Sequence, residues 1–152
     1  MVKISIGVLL GLLVVGGLAR LGLVRTPVGD TETTLSDLRS LYTALLLYYS
    51  RYDAYPRTLA ALGPPLRGAA PNANGAGLVD AELASGIKRG YRFGYRAFSS
   101  SGGTILDKFT INADPIPIPG KSEKSAHYFV DEDLVIHIDP NSVATSLSPP
   151  IN

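Results

Sequence analysis

Residues 4–24 constrain this chain more than any other stretch. Ile4 to Ala19 carries no charge and no proline; Arg20 interrupts, and Leu21-Gly22-Leu23-Val24 resumes before Arg25. As a single helix the run is ~31 Å long at about 1.5 Å per residue, which matches a bilayer hydrocarbon core of roughly 30 Å. A helix that is apolar on every side satisfies its own backbone and is at home in lipid. Arg20 stands about one turn from the far end, where its guanidinium reaches the headgroups. The expectation is an uncleaved transmembrane anchor. The competing reading is a signal peptide cut after Ala19, where Gly17-Leu18-Ala19 offers small residues. Against it, Lys3 is the single basic residue of the leader, and the apolar run continues past the cut to Val24. Lys3 on one side faces Arg20 and Arg25 on the other, so the positive-inside rule does not choose an orientation.

After Thr26-Pro27-Val28-Gly29-Asp30, a neck with a helix breaker and a flexible residue, the pattern becomes helical and two-faced. Leu35, Leu38, Leu41, Tyr42, Leu45, Leu46, Tyr49 and Tyr52 recur at spacings of three and four, which puts them on one side of a helix. Asp37, Arg39, Ser40, Thr43, Ser50 and Arg51 fall mostly elsewhere. Thr33 or Thr34 is the expected N-cap, and Pro56 the expected stop, because a residue before proline avoids helical geometry.

The rest of the chain has to cover that apolar face. Thr58 to Leu62 reads as a helical turn closed by Gly63 and Pro64-Pro65. Leu66 to Gly77 reads as a loop, and Leu78 to Ala84 as a short helix stopped at Gly86. Tyr91 to Ala97 alternates, with Tyr91, Phe93, Tyr95 and Ala97 on one face of a strand. Ser99 to Gly103 connects it to a second strand, Lys108 to Ala113. The prolines of Asp114-Pro115-Ile116-Pro117-Ile118-Pro119-Gly120 lack donors and exclude that segment from a central strand. His127 to Val130 and Leu134 to Ile138 form a last hairpin about Asp131-Glu132-Asp133. The Ser/Pro-rich tail has no period and is expected to be poorly ordered.

The expected fold class is therefore α+β: an N-terminal transmembrane helix continuing into an amphipathic helix, packed on a small antiparallel β-sheet of four strands. The expected organisation is an anchor over 1–25, a neck over 26–34, a globular domain over 35–139 and a flexible tail over 140–152.

Few chemistries fit. The net charge of +1 gives no footprint for nucleic acid, and the absence of cysteine excludes disulfides, thiolate metal sites and a cysteine nucleophile. His127 and His137 lie on neighbouring predicted strands, but two histidines fall short of a zinc ligand set. Asp131, Glu132 and Asp133 do not have the spacing of a calcium loop and read as a solvated turn. Lys88, Arg89, Arg92 and Arg96 beside Tyr91 and Tyr95 have the composition of a single-strand-binding surface; with so little net charge they read as a solvated strand face. No Gly-Lys-Ser/Thr completes a phosphate loop, and Ser99-Ser100-Ser101 has no base in a recognisable arrangement. The expectation is no enzyme, no cofactor and no bound metal.

The order of these features resembles type IV pilins and type II secretion pseudopilins, in which a half-membrane, half-amphipathic helix precedes an antiparallel sheet. Tyr55-Pro56-Arg57-Thr58-Leu59-Ala60-Ala61-Leu62 is similar to the pseudopilin segment after the long helix. Gly77 to Gly86, Gly90 to Tyr95, Phe109 to Pro115 and His127 to Asp131 resemble pilin-like domains of acidobacterial type. The resemblance spans roughly residues 35 to 138. It departs from the family at the leader. Gly7-Val8 is the nearest match to the cleavage glycine, and Leu12 stands where the fifth mature position carries glutamate.

The resemblance implies a structural subunit, minor or accessory, of a type IV pilus or secretion filament. It would sit in the inner membrane with its domain on the periplasmic or extracellular side. Lipid and other pilin-like subunits or further copies are its implied partners. Gly7 and Gly11 offer a small-residue helix-packing motif. With Leu12, Ala44, Leu47 and Tyr48 they are the candidate subunit contacts. The alternative is a single-pass anchored domain that binds a ligand or partner without forming filaments.

Overall fold

The computed structural model describes residues 27–120 and 125–151, the side chains of 27–30 excepted. The expected anchor lies outside the described residues, and no helix among those described is long and apolar enough to cross a membrane. Helix α1 runs Pro27–Tyr52. It is already formed at Pro27, so residues 27–34 are helix rather than a broken neck, and Thr33 and Thr34 are interior residues rather than caps. The helix stops at Asp53, which adopts the left-handed conformation at φ 56° and donates its N–H to the Tyr49 carbonyl at 2.8 Å. Termination therefore precedes Pro56 and uses an aspartate cap.

Leu38, Leu41 and Leu45 are fully buried along α1, flanked by Leu35, Ala44 and Tyr48. Each buried leucine contributes about 1.5–3 kcal/mol by removal from water. Leu46, expected within this stripe, is instead 41% exposed, because it lies about 100° round the helix from Leu45.

A 3₁₀ turn, Leu59–Leu62, and a short helix α2, Ala81–Ala84, follow. Asp80 caps α2 by accepting the Leu83 N–H. The sheet has five strands, one more than expected: β1 Ile87–Lys88, β2 Tyr91–Phe98, β3 Lys108–Pro115, β4 His127–Asp131 and β5 His137–Asp139. They form an antiparallel meander in chain order. Tyr91 and Phe93 of β2, Phe109, Ile111 and Ala113 of β3, and Tyr128 and Val130 of β4 all face the α1 leucines and close the core. Alternation alone fixes this, since a slip of one residue would turn every one of them outward.

Two expectations fail. Asp114 and Pro115 belong to β3, with Pro115 paired to Tyr91. The proline is tolerated because β4 pairs only with residues 110–113; at the strand end Pro115 has a neighbour on one side only. The tail is also structured. Ile138 N–H donates to Pro149 O, Ile151 N–H donates to Ile136 O, and His137 bridges Pro150, so the chain end lies along β5. Ala144 is buried, and the Asn112 side-chain amide donates to its carbonyl.

Candidate functional site

The candidate subunit contacts separate sharply. Gly7, Gly11 and Leu12 lie outside the described residues. Ala44 and Tyr48, expected to face another subunit, are turned into the chain's own core, and the Tyr48 hydroxyl donates to the Ala73 carbonyl at 2.8 Å. They share the helix face of Leu41 and Leu45, and each leaves only a small edge at the surface, Ala44 beside the Leu47 groove and Tyr48 in the cleft described below. Leu47 is 53% exposed and lines a shallow groove with Ser36, Ser40, Thr43 and Leu78. Of the three candidates among the described residues it is by far the most exposed.

Three tyrosines build a cleft of about 450 Å³ at the C-terminal end of α1. Tyr48, Tyr52, Tyr55 and Leu106 provide its apolar lining, and Arg57, Thr58, Asn74 and Thr104 its polar groups. The Tyr48 and Tyr52 rings sit 4.5 Å apart at 48°, and Tyr55 meets Phe109 edge-on at 4.9 Å. Tyr48 pins the 73–74 turn through its hydroxyl. The Tyr55 N–H donates to Leu106 O at 2.7 Å and ties down the opposite wall. Tyr95 locks the floor by donating to the Pro56 carbonyl at 2.8 Å. Burial raises the Tyr95 hydroxyl pKa well above its ordinary value, and burial also raises Tyr48 and Tyr55. The Tyr48 and Tyr95 hydroxyls act here as hydrogen-bond donors to backbone carbonyls. The volume falls within the range of small-ligand sites, about 300–1,000 Å³.

Half of the basic cluster is tied into ion pairs, while Arg92 and Arg96 are exposed. Asp37, which the sequence pattern sets apart from the apolar stripe, is 6% exposed. It pairs with Lys88 at 3.3 Å and Arg89 at 3.1 Å. Lys88 also holds Asp80 at 2.6 Å. The bond to Lys88 and then the Leu83 N–H hold the Asp80 carboxyl below its ordinary pKa, and the bond to Asp80 raises Lys88. The ladder ties α1 to the turn between β1 and β2. Arg89 occupies the left-handed region there at φ 49°, a conformation a non-glycine residue keeps only when its surroundings hold it. Arg96 lies over the Phe98 ring at 5.7 Å. Of the four basic residues, Lys88 and Arg89 thus have carboxylate partners.

The two histidines do not converge on one point. His127 Nδ1 meets Asp114 Oδ1 at 2.7 Å, and His137 Nδ1 meets the Ser148 carbonyl at 2.5 Å. Asp139, opposite His127 in the strand register, accepts the N–H groups of Asn141 and Ser142, which hold its carboxyl below its ordinary pKa. In the acidic turn, Asp131 accepts the Asp133 N–H and Glu132 pairs with Lys108 at 2.5 Å. No cluster of three or more metal-ligating side chains occurs among the described residues.

No known protein family, curated protein or solved structure matches the chain. Its architecture, a long helix preceding a five-stranded antiparallel sheet, is consistent with a pilin-like α+β fold.

Proposed function

We propose that the protein is a pilin-like structural subunit, minor or accessory, of a type IV pilus or secretion filament. In this reading residues 1–25 anchor it in the inner membrane. The observation that carries the proposal is the division of labour along α1. One side is committed to the chain's own sheet through Leu38, Leu41 and Leu45, while Leu46 and Leu47 remain uncovered on other sides. The helix follows a 21-residue apolar stretch in the sequence, so one continuous element can serve the membrane, the domain core and a neighbour. Leucine in place of the family's acidic residue at position 12 favours an accessory position. No catalytic role is part of the proposal.

The tyrosine cleft favours a second reading, an anchored domain that binds a ligand without assembling. Isolation of sheared surface filaments separates the two. Recovery of the chain with the filaments supports the subunit. Recovery in the membrane fraction alone, from cells that display filaments, supports the binding domain.

A further inference from the structure

The tyrosine cleft has a matching ligand within the chain itself. Asp114, Ile116 and Ile118 each precede a proline, so each is driven to extended backbone, and the three prolines fix their own φ near about −65°. Residues 114–119 are thus confined to strand or polyproline geometry before any partner is met. The first two residues end β3, and the Ile116 N–H fastens the root of the arm to Gly90 O at 2.7 Å. Pro117, Ile118, Pro119 and Gly120 are exposed, Ile118 by 49%. A polyproline strand offers ring faces and carbonyl acceptors, with few donors of its own. An aromatic-lined groove with donors is the complement by which such strands are recognised. Tyr52 supplies the half-buried ring, backed by the buried Tyr48 and Tyr55, and Arg57 and Asn74 the donors. Arg57 has no carboxylate partner among the described residues, so its guanidinium is available.

The arm cannot enter its own cleft. It leaves β3 beyond Pro115, whereas Thr104 and Leu106 of the cleft precede Lys108 at the other end of that strand. Eight residues of strand separate them, about 25 Å. The occupant therefore comes from another molecule, and every copy carries both an arm and a cleft.

We infer that the Pro115–Gly120 arm of one copy docks in the tyrosine cleft of the next. The contact is heterologous, with arm and cleft at opposite ends of one strand, so each molecule can receive one neighbour and engage another. Such contacts close into rings or propagate into filaments. This deepens the filament-subunit reading, on which it rests for the encounter between copies.

The chain lacks cysteine, which permits a direct test in membranes on the full-length protein. Two differently tagged copies are co-produced, one with Ile118→Cys and the other with Thr104→Cys, and mildly oxidised. A second pair carries Leu12→Cys in both copies, to report contact between anchors. The expected result is a mixed-tag disulfide dimer, lowered about tenfold by Tyr52→Ala, the scale of losing an aromatic anchor. Pro117→Gly with Pro119→Gly should lower it likewise, and these changes lie on the exposed arm where the fold does not depend on them. A synthetic peptide with the sequence of residues 114–120 should compete. Leu12→Cys dimers without the mixed dimer would overturn the inference and leave the subunit reading standing. Loss of both dimers would count against both. Dimers of Ile118→Cys with itself alone would show a symmetric contact and overturn the docking.

Discussion

Asp37→Ala probes the connection between α1 and the sheet. The wild-type carboxylate is almost wholly buried and bridges Lys88 at 3.3 Å and Arg89 at 3.1 Å. Removing one partner of a buried ion pair costs about 3–5 kcal/mol when the other charge is stranded. Here neither cation is stranded. Lys88, whose side chain is 10% exposed, keeps Asp80 at 2.6 Å, and the Arg89 side chain is 54% exposed and can turn to water. The Arg89 contact is largely screened and adds little. The loss then falls to about 1–3 kcal/mol, the range of a charged hydrogen bond with a retained neighbour. For a domain of this size that lowers the melting midpoint by roughly 5–15 °C. Thermal melts of the full chain in detergent, followed by far-ultraviolet circular dichroism, measure the shift. A double-mutant cycle with Lys88→Met should return a coupling of about 1 kcal/mol or more. A midpoint unchanged by Asp37→Ala, or additive single changes, would refute the claim that this ladder fastens the helix to the sheet.

Leu41→Ala and Leu45→Ala should each cost about 2–5 kcal/mol, since both side chains are fully enclosed; unchanged urea midpoints would mean that α1 does not pack on the sheet. The Tyr128 hydroxyl is fully buried and finds no partner among the described residues, so Tyr128→Phe should leave stability equal or raise it by about 1 kcal/mol, and a clear loss in the same melts would reveal a partner. Asp80 has a folded pKa below its ordinary value of about 3.9. Its stabilisation is present above that value and lost as pH falls through the folded pKa. The melting midpoint should drop on acidification below about pH 4, and Asp80→Asn, which retains a capping side chain, should flatten part of that slope; an identical slope in the variant would contradict the assignment.

What the sequence reveals follows from the range over which its signals act. The leucine stripe of α1 and the alternation in β2 and β3 are local periodicities, and the chain folds along them. The burial of Asp37 has no local signal, because its partners arrive from β1 and the β1–β2 turn, 51 and 52 residues on. β1 has two residues, too few for any period. The tail packs through backbone groups of Pro149 and Ile151 that carry no side-chain signal, so a Ser/Pro-rich segment read as loose is in fact paired. The five tyrosines from Tyr42 to Tyr55 were visible as apolar residues. That three of them line a cleft depends on turns at 73–74 and 104–106 meeting at the end of α1. The resemblance to pilins supplied a use for the exposed helix face, but not which residues form it: Ala44 and Tyr48 are internal, and Leu47 is not.

The central claim is that Leu47 faces a neighbouring subunit while Ala44 faces the chain's own core. A photo-crosslinking residue at Leu47, with the same residue at Ala44 as the internal control, tests both halves at once in membranes of cells that make the filament machinery. The account predicts crosslinks from Leu47 to another copy or to a pilin subunit, and none between molecules from Ala44. Monomers alone at Leu47, or intermolecular crosslinks of equal yield at the two positions, would contradict it.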